Sequence, residues 1–381
     1  MTRALQRVAV SGSPRARGRA YGSLARDKVL RCVACYREAF RHRAGLGWDA
    51  ALAQARRFLP DIEAFAPAVL QEMHGIAEGA GIDFDAVLAL NCHSELMFSA
   101  ARQGKALSEC TSFAVAPQAS ADGHMLLGQN WDWVPFAREV CVLVEVRRTD
   151  GPDFVTIVEA GMLAKIGFNA AGLGLCTNTL VSAQDAGRRG VPYHVMLRVL
   201  LDAASVDEAA RLLASAERAI SANYLVADRS GAAANFETTS GGADAVRTTR
   251  PEQGLLAHAN HFLAPEFVAG DRYVANSPHS LTRLDAMRAG LAGGGALSVE
   301  RLQEILRDHR HAPNGICSHP DPAAHPLYAR TTVASVIADL TSGEAWMTAG
   351  PPCGESYVRY TLPSAPRARP TSPARSSPQA A

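Results

Sequence analysis

The sequence predicts an α+β fold. Apolar residues recur at helical spacing through residues 20–100. The period shortens to that of strands from residue 110. Beyond that point, blocks of strands alternate with blocks of helices, which indicates separate α and β layers more than a regular βαβ repeat. The chain has 381 residues, 48% hydrophobic and 20% charged, enough apolar bulk for a large core and too much for a disordered chain.

The elements follow in order. Val8-Ala9-Val10 with Gly12-Ser13-Pro14 reads as a strand and a turn. Helices are expected near 26–44, 48–58, 62–79 and 84–98, the third with Leu70, Met73, Ile76 and Ala77 on one apolar face and the fourth capped by Asp83. Residues 110–117 and 124–131 read as strands joined at Ala121-Asp122-Gly123, a D-G hairpin signal. A second pair, 140–148 and 154–159, flanks Asp150-Gly151-Pro152, and 165–175 adds a strand that turns at Asn169 to Gly172. Helices return at 192–203 and 206–216, the latter with Ser205 and Glu208 as a capping box. Strands at 222–228 and 233–238, helices at 280–291 and 298–309, and strands at 332–339 and 344–349 complete the chain. Residues 363–381, rich in Pro, Ala, Ser and Arg, read as a disordered tail.

Charge and cysteine usage narrow the function. The 38 Lys plus Arg against 37 Asp plus Glu leave a formal +1, which argues against coating nucleic acid or an anionic membrane. No apolar run approaches the roughly 20 residues of a membrane-spanning helix. Eight Cys are spread thinly and no signal-peptide pattern opens the chain, so a cytoplasmic location is expected. Cys32-Val33-Ala34-Cys35 lies inside a helical pattern and reads as two packed cysteines rather than a redox pair. His309, His311, Cys317, His319 and His325 match no standard zinc spacing and are broken up by prolines. A loop bordering the active site is expected there, with no metal. Gly293-Gly294-Gly295 lacks the strand and Lys of a phosphate cradle and reads as a link between helices.

The most informative segment is Glu109-Cys110-Thr111-Ser112-Phe113, followed by Gly128-Gln129-Asn130-Trp131-Asp132-Trp133. A Cys opens a strand directly after a helical block, and a hairpin returns Asn-Trp-Asp towards it. This resembles the penicillin acyltransferase family of N-terminal nucleophile hydrolases. Further segments agree in order: Gly75-Ile76-Ala77-Glu78-Gly79, Leu90-Asn91 with Glu95, Glu159-Ala160-Gly161, Lys165 to Gly172, Gly190-Val191-Pro192, Ala257-His258-Ala259-Asn260-His261, and Tyr328-Ala329-Arg330-Thr331-Thr332.

The resemblance implies a four-layer αββα sandwich in which 1–109 is a mostly helical segment and 110–362 the core. It implies self-cleavage at Glu109–Cys110, after which Cys110 carries both a thiol nucleophile and a free α-amino group as its base. Asn260 matches the position whose amide helps hold the oxyanion. Asp132 and Arg330 match a polar pair that orients the nucleophile. Glu109 stands where the best-known members have Gly, which puts the rate of maturation in question. No cofactor is implied, though acyl-CoA fits as a co-substrate. The expected partners are a small acyl amide or acyl-CoA and the chain's own cleaved fragment, with neither nucleic acid nor membrane. The fragments would carry opposite charge, +4 for residues 1–109 and −3 for 110–381. A catalytically silent protein that binds acyl compounds is the alternative, with Glu109 its one motif-level support. A redox protein using Cys32 and Cys35 is a third reading.

Overall fold

The computed structural model of the chain describes residues 4–98, 109–185 and 187–363. The stretch 99–108 and nearly all of the expected tail, 364–381, lie outside the described residues. The strands are β1 (Gln6–Ser11), β2 (Glu109–Val115), β3 (Leu126–Trp133), β4 (Cys141–Arg147), β5 (Phe154–Glu159), β6 (Ile166–Asn169) and β7 (Leu173–Thr179). They continue with β8 (Ala222–Asp228), β9 (Ala233–Thr238), β10 (Val246–Thr249), β11 (Leu255–His258), β12 (Thr331–Asp339), β13 (Glu344–Thr348) and β14 (Val358–Thr361).

They form an eight-stranded sheet, β1-β4-β5-β6-β7-β8-β9-β10, and a six-stranded sheet, β11-β2-β3-β12-β13-β14. The sheets stack face to face. Gln129 on β3 bonds both the N–H and the C=O of Thr177 on β7, each at 2.8 Å. Helices Tyr193–Leu200 and Val206–Ser215 lie against the first sheet, His279–Leu291 and Val299–Leu306 against the second. The four-layer αββα order expected from the resemblance is the one found. Strand periodicity sorts β2 between two cores: Cys110 and Ala114 point between the sheets, Phe113 and Val115 under the outer helices.

The N-terminal segment is more than a helical wrap. Its β1 pairs in parallel with β4 at the edge of the first sheet. Buried Glu72 accepts from Arg17 (Nε, 2.7 Å) and from Arg198 (3.0 and 2.9 Å), tying the segment to a helix far along the chain. Ion pairs this deep are costly to break from one side, unlike the surface attraction of opposite net charges.

Helix Pro14–Leu24 was not expected, because Gly18 and Gly22 depress helix propensity. Its reason is tertiary. It packs backbone to backbone on helix Pro67–Ala80, and a Cβ on Gly18, Gly22, Gly75 or Gly79 would fall 1.9–2.2 Å from a carbonyl oxygen of the partner helix. Gly79→Val is expected to cost ~3 kcal/mol or more, read as a lowered urea midpoint. Gly47→Ala, whose Cβ meets nothing within 4 Å, should cost under about 1 kcal/mol.

The helix expected over 62–79 breaks at Ala66 (φ −141°), since Pro67 bars its predecessor from the helical region. That over 84–98 is divided into Phe84–Asn91 and His93–Phe98. Asp83 sits at its N-cap position without a side-chain cap bond. Ser205 does cap, accepting from Glu208 N at 3.2 Å, while Glu208 reaches back to Ala204 N (2.7 Å) rather than to Ser205. Cys32 is packed in the core on helix Arg26–Ala39, with Cys35 half-buried beside it. Among the described residues no helix is long and apolar enough to cross a membrane.

Candidate active site

Cys110 is the second residue of β2 and is 1% exposed. β2 lies inside the sheet, one strand from its edge, with β11 on one side and β3 on the other. The register sets Cys110 opposite Trp131 and Glu109 opposite Asp132. The hairpin therefore returns Asp132 beside the Cys, as the sequence suggested.

Cys110 is held at both ends of its own residue. Its N–H donates to Asn260 Oδ1 at 2.7 Å. Its carbonyl accepts from Arg283 Nη1 (2.7 Å) and Asn178 Nδ2 (3.2 Å). Arg283 also donates to Thr111 Oγ1 (2.8 Å) and to Asn260 Oδ1 (3.1 Å). These partners fix the Asn260 amide orientation. Two donors face one of its atoms, so that atom is oxygen, and Nδ2 donates to Thr179 O at 2.9 Å. Asn260 is fully buried just after β11, and its backbone N–H donates to Ser280 Oγ at 2.7 Å. Ser280 and Arg283 stand one helical turn apart on the buried face of His279–Leu291.

Asp132 is fully buried, and its Oδ1 accepts from Thr332 Oγ1 at 2.7 Å. Thr332 faces Asp132 across the β3–β12 ladder. Arg330 lies just before β12 at this same end. It donates to Ser277 Oγ (3.1 Å) and Asn314 Oδ1 (2.5 Å). Cys110, Asp132 and Asn260 thus form one cluster, and Arg330 stands at its border, beside the start of the helix that carries Arg283.

Burial pushes the Cys110 thiol up, and the nearby Lys165 charge pulls it back. Asp132 raises it through its charge and lowers it through its backbone amide, and Arg283 lowers it further. Lys165 is itself buried, its Nζ 4.9 Å from the Trp131 ring centre and 5.7 Å from that of Tyr193. Glu159 lies nearby, accepting from Tyr36 Oη at 2.9 Å. Burial pushes its carboxyl up to about 7 against the pull of Lys165. A surface cleft of about 730 Å³ between Cys35, Phe136 and His325 does not include Cys110. Among the described residues one group has the placement of metal ligands, His309, Cys317, His319 and Cys353, and it shares no residue with this cluster.

Arg283 and Asn178 were not singled out from the sequence. Arg283 had a signal: it falls on the stripe of Leu284, Met287 and Leu291, where an unpartnered Arg would be costly. Asn178 sits on β7 in the facing sheet, where it also accepts from Ser112 Oγ (2.7 Å) and Asn223 Nδ2 (3.1 Å). Nothing local marks it.

The family model described as acyl-coenzyme A:6-aminopenicillanic acid acyl-transferase matches residues 119–352. The match begins past Cys110 and includes Asp132, Asn178, Asn260, Arg283 and Arg330. The chain is 24% identical over 314 residues to the acyl-coenzyme A:6-aminopenicillanic-acid-acyltransferase 40 kDa form of Emericella nidulans, covering 81% of this chain and 84% of the relative. It is 25% identical over 323 residues to an uncharacterized protein of Archaeoglobus fulgidus, covering 74% and 52%. Among solved structures, a single-residue variant of conjugated bile acid hydrolase from Clostridium perfringens aligns with a TM-score of 0.46 at 13% identity, over 68% of this chain and all of that one. Penicillin V acylase from Agrobacterium tumefaciens aligns with a TM-score of 0.40 at 14% identity, over 62% and 82%.

Proposed function

Since the chain belongs to the acyl-coenzyme A:6-aminopenicillanic acid acyl-transferase family, we propose that it is an N-terminal-nucleophile cysteine enzyme that matures by cutting itself between Glu109 and Cys110. It then carries an acyl group as a thioester on Cys110, from a small acyl amide or acyl-CoA, to an amine or water. The observation that carries this reading is the clamp on Cys110: its own N–H on Asn260, its own carbonyl on Arg283 and Asn178.

In maturation the Cys110 sulfur attacks the Glu109 carbonyl carbon. The C–N bond breaks as the C–S bond forms, and the thiol proton passes to the departing Cys110 nitrogen. Water then hydrolyses the thioester, leaving a carboxylate on Glu109 and a free thiol and amine on Cys110. Glu109 is the first residue of strand β2, paired with Asp132 on β3.

In turnover the new amine occupies the place of the present N–H, beside Asn260 Oδ1. An α-amine titrates near ~7.7 and a thiol near ~8.5, which suits the amine to take the thiol proton at neutral pH. The Arg283 cation favours a neutral amine and a thiolate alike. The second Nδ2–H of Asn260 serves the oxyanion, a contribution of about 10²–10³ in rate for one such donor. Asp132, fixed by Thr332, and Arg330 position the nucleophile.

Intact-mass measurement of the purified chain tests the proposal. Two fragments of 109 and 272 residues are expected, the larger beginning Cys-Thr-Ser, still bound together under native conditions through β1 and Glu72. A full-length chain that turns over acyl substrates would remove self-cleavage from the reading; one with no turnover at all would remove the reading.

A further inference from the structure

We propose a structural zinc site formed by His309, Cys317, His319 and Cys353. Their ligand atoms all lie within 4.8 Å of one another. His319 Nε2 is the meeting point, 3.0 Å from His309 Nε2, 3.4 Å from Cys353 Sγ and 3.5 Å from Cys317 Sγ.

Hydrogen bonding alone does not account for this convergence. An imidazole nitrogen carries either one proton or one lone pair, so it makes a full bond to one of the three neighbours and holds the other two at contact distance without one of its own. A cation at the centre satisfies all four. Zn–N of 2.0–2.1 Å and Zn–S of 2.3 Å put tetrahedral ligand atoms roughly 3.3–3.8 Å apart; the three separations from His319 Nε2 are 3.0, 3.4 and 3.5 Å, and the remaining pairs lie within 4.8 Å. Two imidazoles and two thiolates are a standard donor set for structural zinc. Four protein ligands leave no open position for catalysis. On binding, the two thiols release their protons and the site becomes electrically neutral.

The four residues come from two separate stretches. His309, Cys317 and His319 lie in the loop between helix Val299–Leu306 and β12, and Cys353 in the link between β13 and β14. The sequence hid the site for two reasons. Cys317 and His319 are one residue apart rather than the usual two to four, and Cys353 lies 34 residues beyond His319. His309 and Cys353 are exposed, which gives the ion a way in.

The site bears on the cluster around Cys110 through Ser318, which its two neighbours would pin. Ser318 N donates to Thr332 Oγ1 and Thr332 N to Ser318 O, each at 3.0 Å, and the same Thr332 hydroxyl donates to Asp132. Zinc here would hold the loop that supports Asp132 without touching a reacting atom. The site does not depend on the Cys110 reading.

The test uses the full chain expressed with added zinc and freed of loose metal by gel filtration. Elemental analysis should find about one zinc per chain. Cobalt exchanged into the site should show the strong visible bands of a tetrahedral ion and thiolate charge transfer in the near ultraviolet. Cys353→Ser and His309→Gln alter exposed side chains and should leave a folded chain by circular dichroism. Each should lose the metal and speed proteolysis within 307–330. A wild-type chain that retains no zinc and shows no cobalt–thiolate band overturns the proposal. So does a mass two hydrogens low, with Cys317 and Cys353 joined in a disulfide.

Discussion

Cys110→Ala is expected to leave the 381-residue chain whole and to lower acyl turnover by at least about 10⁴-fold. One substitution removes the attacking atom of both reactions, so the two losses should appear together. Cys110→Ser keeps a nucleophile of far higher pKa and should cut itself slowly at neutral pH. The wild-type rate of maturation carries a pH signature. Burial holds the Cys110 thiol above its ordinary range in the uncut chain, so the reactive thiolate is a minor species at pH 7. Below the thiol pKa, its fraction grows about tenfold per pH unit. Maturation followed on denaturing gels should therefore speed up by nearly that factor between pH 6 and 7 and level off only at alkaline pH. Normal cleavage or normal turnover in the Cys110→Ala chain would assign the nucleophile elsewhere.

What the sequence disclosed of this site follows from how its parts are encoded. Cys110 and Asp132 sit on two strands of one hairpin, so a strand period and a turn signal suffice to bring them together. Asn260 and Arg330 became legible only through the order of short segments, since neither is marked by its own surroundings. Arg283 and Asn178 meet the Cys110 carbonyl from 173 and 68 residues away, on a helix of one outer layer and a strand of the facing sheet. No local pattern encodes such a contact. The fold divides the same way. Apolar runs bounded by turn signals such as Asp122-Gly123 and Asp150-Gly151 were legible as strands although they are buried on both faces, whereas β10, β11 and β14, of four residues each, were not read. Helix Pro14–Leu24 was hidden because Gly18 and Gly22 make sense only against Gly75 and Gly79, a match made by packing rather than by propensity.

Arg283→Met should delay maturation by about 10²–10³-fold and lower turnover to a similar degree. Arg283 is fully buried and joins three acceptors on two elements: the Cys110 carbonyl, the Thr111 hydroxyl and Asn260 Oδ1. Methionine fills much of the same volume but donates to none of them, leaving the Cys110 carbonyl to Asn178 and Asn260 Oδ1 to the Cys110 N–H. Lysine, a single point charge on a flexible stem, cannot span them and should rescue only part of the loss. A purely structural role would also slow the enzyme, so the decisive readout is the pH profile. The Arg283 cation disfavours a protonated amine and favours a thiolate, and removing it raises the pKa of both groups. The pH dependence of Arg283→Met, and to a lesser degree of Arg283→Lys, should then move to the alkaline side by about one pH unit. Addition of base should recover part of the lost rate. A slowed variant whose profile stays in place would make Arg283 a strut for the strand end, while an unchanged rate would free Cys110 from its influence.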